Sequence, residues 1–196
     1  QRIYALEGYL SPNTYEIYTS ATPEEIIKKL LSQTEAVFRD EWHDRADELG
    51  MTMDQVITLA SLIEKEAKQA DFARVSAVFH NRLKINMALG SDVTIKYVTG
   101  TERMSLNNSD LSVDSPYNTY RNKGLPPGPI CNPSAAAIEA ALYPDETFTA
   151  QNYLYFCSKD PATGELYFSR TLEEHEAAVK IYAPLWQAYD EKTGAK

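Results

Sequence analysis

The sequence predicts an α+β fold: several helices packed around a small antiparallel sheet, with a long loop-rich segment in the middle. Three observations carry this expectation. Apolar residues recur at helical spacing in several stretches, three of which open on a capping box. Two short runs, Tyr153 to Cys157 and Leu166 to Ser169, flank a polar loop containing Gly164 and read as a hairpin. Residues 86–133 show little periodicity but much Gly, Pro, Asn and Asp punctuation.

Taken in order, residues 6–18 form a Tyr-rich, extended-looking run broken by Gly8 and Pro12, read as an edge strand and turn. Thr22 and Glu25 form a capping box with Pro23 at the first helical position, opening a helix expected to reach about Leu49. Residues 52–68 are the centre of the chain. Thr52 and Gln55 make the second capping box, and Val56, Leu59, Ala60, Ile63 and Ala67 form one apolar stripe. Thr58, Ser61, Lys65, Lys68 and Gln69 fall on the side expected to be solvated. A further helix over residues 71–85 follows from Phe72, Val75, Phe79 and Leu83. Asn132 and Pro133 read as N-cap and first residue of an Ala-rich helix through Leu142. Thr171 and Glu174 cap the last helix, which holds Val179, Tyr182, Leu185 and Trp186.

The central helix carries two carboxylates, Glu64 and Glu66, on opposite flanks of the apolar stripe. Two residues apart on a helix is about 200°, so they do not act as one close pair. Each has two readings. A Glu beside an apolar stripe reaches past it into water or pairs with an Arg, such as Arg74 or Arg82. In an apolar pocket it becomes instead a carboxyl whose pKa is raised, suited to general-acid work.

Composition narrows the function classes. The chain has 196 residues, 43% of them hydrophobic, which suits one domain with a real core. A net charge of −9 without a basic cluster argues against nucleic acid as a partner. No run is long and apolar enough to span a bilayer, and none resembles a signal peptide. Thirteen Tyr against six Phe give many flat faces with polar edges, as sugar rings require, although half-buried packing uses the same residue. Cys131 and Cys157 show no metal spacing and are compatible with one bridge or two reduced thiols. His43, His80 and His175 have no ligand pairing, so no metal site is expected.

Four ordered blocks add a resemblance: LEGYLSPNTYEI from Leu6, ASLIEKEA from Ala60, VFHNRLKINMAL from Val78 and SPYNTYRNKGLPPGPICNP from Ser115. With the C-terminal YLYF and YFSRTLEEH, they resemble the catalytic domain of the MltG/YceG-like family of membrane-anchored endolytic murein transglycosylases. The resemblance covers nearly the whole chain, residues 1–196, as a single catalytic domain. It implies that the family's membrane anchor and LysM-like module lie outside this sequence, which starts at Gln1 and reads as a soluble piece of a longer protein.

The resemblance also implies a reaction: lytic cleavage between N-acetylmuramic acid and N-acetylglucosamine in peptidoglycan, leaving 1,6-anhydro ends, on nascent strands during wall synthesis. It implies no cofactor, a location on the extracytoplasmic face of the membrane, and cell-wall synthases (penicillin-binding proteins) as partners. The family motif places the catalytic acid at Glu64 and leaves Glu66 a supporting place in a buried polar network. Substrate contacts are carried onto Ser91, Asp92 and Thr94, onto Tyr117, Asn118 and Tyr120, and onto Glu7 and Tyr9. Residues 89–129 are expected to wall the glycan groove on the Glu64 flank. Departures from the family pattern occur at Ser11, Asn13, Gly90 and Val93. Two alternatives stand beside this reading, a non-catalytic peptidoglycan-binding module and a hydrolytic muramidase.

Overall fold

The structure, a computed structural model, describes residues 2–195. Nine α-helices and one hairpin follow in the order α1 (Pro23–Val37), α2 (Asp40–Glu48), α3 (Met53–Glu66), α4 (Phe72–Lys84), α5 (Asp92–Thr99), α6 (Asn108–Leu111), α7 (Ala135–Leu142), α8 (Glu146–Ala150), β1 (Tyr155–Asp160), β2 (Glu165–Ser169) and α9 (Leu172–Thr193) among the described residues. The α+β class holds, but the helices do not surround the sheet. Helix α3 is the centre, and the hairpin lies to one side against α4 and α9.

Helix α3 starts where its capping box requires: the Thr52 hydroxyl accepts from the Gln55 amide at 3.2 Å and the Gln55 side chain accepts from the Thr52 amide at 2.9 Å. Every residue from Val56 to Ile63 is buried, so the helix is enclosed on all sides rather than amphipathic. Thr58 and Ser61, expected on the solvated side, are buried, and residues 130–131 pack over Ser61. The Ser61 hydroxyl accepts from the Ile130 amide at 3.0 Å and donates to the Thr58 carbonyl at 2.7 Å. Lys65, Lys68 and Gln69 are exposed as expected.

Helix α7 packs closely on α3 through its alanines, Ala137 and Ala141 being fully buried. Its N-cap is Ser134 rather than Asn132. The Ser134 hydroxyl accepts from the Ala137 amide at 3.3 Å, while the Asn132 side-chain carbonyl accepts from the Gly8 amide at 2.8 Å and the Leu10 amide at 3.1 Å. Asn132 thereby holds the 6–18 run, which is irregular backbone and not an edge strand. The first long helix is also broken in two, at Phe38 and Arg39, both extended. The break re-aims the chain so that Trp42 and Ala46 reach the core, where α1 buries only Thr34.

The central segment is more ordered than its punctuation suggests. It contains α5, closed by Gly100 in the left-handed region, and the one-turn α6. Asn118 is the knot of this region: it is fully buried, donates to the Leu111 carbonyl at 3.0 Å and the Val113 carbonyl at 2.9 Å, and accepts from the Tyr120 amide at 3.0 Å. Asn118→Leu should therefore cost about 3 kcal/mol or more in urea unfolding, because three buried polar groups lose their partner. A cost below about 0.5 kcal/mol, the range of an inert surface change, would show that the loop is held by something else.

Candidate active site

The C-terminal end of α3 delivers Glu66 into a cavity of about 500 Å³. One wall is the 87–120 segment with Lys65 and Arg82; the other is β1 and α9, contributing Tyr155, His175 and Trp186 among others. The Ser91 hydroxyl donates to the Glu66 carboxyl, yet burial outweighs that bond and pushes the pKa up to about 7. The Asp92 charge adds to the rise, while Lys96 and Arg82 oppose it. Glu66 is thus a carboxyl that keeps its proton near neutral pH.

The neighbours of Glu66 are themselves held. Arg82 is 9% exposed and donates to the carbonyls of Leu154 and Leu89, each at 2.6 Å, with its guanidinium 5.3 Å from the centre of the Tyr155 ring. It ties the hairpin to the central segment and leaves a buried cation beside the cavity. Tyr120 donates to the Asp92 carboxylate, and burial raises the pKa of both. Gly90 has φ +51°, and a Cβ there would sit 3.3 Å from an Arg82 terminal nitrogen and 3.6 Å from Tyr120. The backbone thus passes close between the two. Thr94 and Thr119 form the layer beneath: the Thr119 hydroxyl accepts from the Ser91 amide at 2.9 Å, and the Thr94 hydroxyl donates to the Ser91 carbonyl at 2.7 Å.

Glu64 points elsewhere. Its carboxylate accepts from the Ser134 amide at 3.0 Å and the Ser134 hydroxyl at 2.6 Å, at the start of α7, and it does not line the cavity. Of the other residues singled out in the sequence, Ser91, Asp92 and Tyr120 gather around Glu66, with Thr94 behind them. Tyr117 and Asn118, expected to face glycan, are 1% and 0% exposed and lie in the core, Tyr117 against Tyr97. Glu7 accepts a hydrogen bond from Tyr97, which lines an adjoining cavity of about 350 Å³ that shares Lys65, Val93 and Lys96 with the first. Tyr9 donates to Asp54 in the first turn of α3, about 18 Å along the axis from Glu66, and does not line the cavity around Glu66.

A further opening of about 640 Å³ lies near that first turn, but its Asp54 and His80 are already engaged. Asp54 takes Arg2 and Tyr9, and the His80 Nε2 meets the Ala141 carbonyl at 2.8 Å. Cys131 and Cys157 are free thiols, their pKa values pushed up by burial to about 12 and about 11. Both are therefore protonated and weakly nucleophilic. The cleft around Glu66 is the place where a proton donor, a buried cation and open volume coincide. The sequence reading missed Arg82 as a wall residue, Lys96, and the entire β1–α9 side.

The sequence pattern of the YceG-like family matches residues 1–181. The chain is 41% identical over 181 residues to the endolytic murein transglycosylase of Bacillus subtilis (strain 168), covering 91% of this chain and 48% of that protein. It is 37% identical over 182 residues to the endolytic murein transglycosylase of Streptococcus pneumoniae serotype 2 (strain D39), covering 90% of this chain and 32% of that protein. A crystal structure of a yceG-like protein from Listeria monocytogenes superposes with a TM-score of 0.78 at 42% identity, over 88% of this chain and 55% of that one. The chain thus spans about half the length of the first relative and about a third of the second.

Proposed function

The chain belongs to the YceG-like family, and from that membership we propose that it is an endolytic lytic transglycosylase of peptidoglycan whose acid is Glu66. One observation carries the choice of residue: the Glu66 carboxyl, whose pKa burial pushes up to about 7, lines the cleft. The sequence motif favoured Glu64, but its carboxylate is engaged by Ser134 as an acceptor. In this reading residues 1–196 make up one catalytic unit.

Protonated Glu66 donates to the glycosidic oxygen between N-acetylmuramic acid and N-acetylglucosamine. The carboxylate left behind then takes the proton of the muramoyl 6-hydroxyl, whose oxygen closes on the anomeric carbon as the 1,6-anhydro ring. The nucleophile is tethered, so its proximity comes from the substrate. A pKa near 7 suits both halves of the cycle. The Asp92 carboxylate, steadied by Tyr120, lies in the same cleft and is suited to stabilise positive charge at the anomeric centre. Such a reaction sits on the extracytoplasmic face of the membrane, on nascent strands beside cell-wall synthases, with a single-pass anchor in the full-length protein. Among the described residues no helix is long and apolar enough to cross a membrane.

Two carboxyl groups in one cleft also fit a hydrolytic muramidase, with water between them. Mass spectrometry of murein digested in oxygen-18 water separates the readings. Anhydro ends without label are expected; labelled reducing ends would make the protein a hydrolase, and intact strands a binding module. Cleavage is also expected to persist in EDTA, since the tethered hydroxyl leaves no water for a metal to activate. Activity lost in EDTA and restored by zinc or calcium, with the fold unchanged, would sink the single-carboxyl scheme.

A further inference from the structure

We propose that the cavity wall built by β1 and α9 is a sugar-binding face, on which Tyr155 and His175 receive a neutral N-acetylhexosamine ring to which His175 donates a hydrogen bond, while Trp186, about 16 Å further along α9, meets another ring of the same strand. The identity of the ligand rests on the function proposed above; the geometry of the wall does not.

Trp186 is fixed first. Its indole N–H donates to the Ser158 carbonyl at 2.9 Å, which pins the ring against β1 while the residue lines the cavity. An indole whose only donor is already bonded presents an apolar surface, as the C–H face of a pyranose requires. About 16 Å back along α9, His175 stacks on Tyr155, with ring centres 5.3 Å apart and planes inclined by 26°.

The His175 imidazole then has a defined donor. Its Nδ1 is buried without a partner, whereas Nε2 is not among the buried unpartnered atoms. Burial and the nearby Arg82 charge both push its pKa down, so the ring is neutral at physiological pH. The tautomer that leaves no N–H stranded inside carries its proton on Nε2, at the accessible edge of a residue that lines the cavity. A neutral donor beside an aromatic ring matches a sugar hydroxyl or an acetamido carbonyl, and a cavity of about 500 Å³ is of the size that holds small ligands. Glu66 lines the same cavity, so a sugar held here stays within the reacting cleft.

The chain has two tryptophans, and Trp42 is 1% exposed in the core, so ligand-induced fluorescence change reports on Trp186. The Glu66→Gln variant, titrated with the N-acetylglucosamine tetramer, is expected to show a saturable change. Adding His175→Phe keeps the stack and removes the donor; it should weaken binding about five-fold, the worth of one neutral hydrogen bond. His175→Gln, whose amide N–H reaches a similar point, should recover part of that loss. Neither substitution should lower the melting temperature, since the unpartnered Nδ1 disappears. Unchanged affinity in His175→Phe, or no fluorescence change at millimolar tetramer, would overturn the subsite. Anhydro products from the parent chain would leave the proposed reaction standing in either case, so the two failures are distinguishable.

Discussion

Glu66→Gln is expected to lower strand cleavage by about 10²–10⁴-fold or more with the fold intact, and Glu64→Gln to cleave within a few-fold of the parent. The amide keeps the size of Glu66 and still accepts from the Ser91 hydroxyl, but it neither gives nor takes the proton. At Glu64 the amide oxygen still accepts from the Ser134 amide and hydroxyl, so the start of α7 survives with the loss of a charge at a helix N-terminus, worth about 0.3–1 kcal/mol. Assay on purified strands, with circular dichroism for folding, reads both. Near-normal cleavage by Glu66→Gln together with a folded, inactive Glu64→Gln would return the acid to Glu64.

The same carboxyl fixes the pH dependence. As the proton donor, Glu66 must be protonated, so cleavage should decline as pH rises through about 7. Stability moves in the same direction. The folded state holds this proton up to about pH 7, while the unfolded chain releases it near the ordinary value of 4.5. Between those two values the folded state binds more protons, and stability falls as pH rises; below them there is no loss. At about 1.4 kcal/mol per unit, burying the charge costs up to about 3 kcal/mol above pH 7. Glu66→Gln should therefore be more stable than the parent at pH 8 and nearly equal to it at pH 4.

What the chain discloses about itself depends on how local the physics is. The capping boxes at Thr22, Thr52 and Thr171 act over three residues, and each is formed where the pattern places it. Helix α5 was overlooked because it is two turns long and the hydroxyl of its N-cap, Ser91, bonds Glu66 instead of the helix; Gly100 was its one visible stop signal. The two flanks of α3 were legible from periodicity, but not which flank would be covered. That was decided by α7, whose Ser134 arrives 70 residues later and occupies Glu64. Ser91, Asp92 and Tyr120 lie together around Glu66, and they share one segment whose punctuation is visible in the sequence. Tyr117 and Asn118 share it too, and composition cannot say that their side chains turn inward. Tyr155, His175 and Trp186 belong to a hairpin and helix whose own patterns are ordinary, and only tertiary packing carries them to Glu66.

Gly8→Ala should destabilise the fold by about 3 kcal/mol or more, against about 1 kcal/mol for Gly50→Ala. Both glycines have positive φ, +90° and +66°, so both substitutions carry the left-handed penalty of an L side chain. They differ in surroundings. A Cβ on Gly8 would lie 2.4 Å from Cγ and 2.7 Å from Cβ of Pro129, and 2.8 Å from the Ile57 Cγ2; a Cβ on Gly50 meets no atom within 4 Å. None of those neighbours of Gly8 is free to swing away, because Pro129 is a ring on a held loop and Ile57 is 1% exposed in the centre of α3. The Gly8 amide also donates to Asn132 at 2.8 Å, so displacing the backbone loosens the bond that fixes the 6–18 run. Urea midpoints of the two variants measure the difference directly. Equal losses would mean that the first run yields to the added methyl and that Gly8 is a turn glycine like Gly50, instead of the point where the N-terminal segment, the proline loop and the central helix meet.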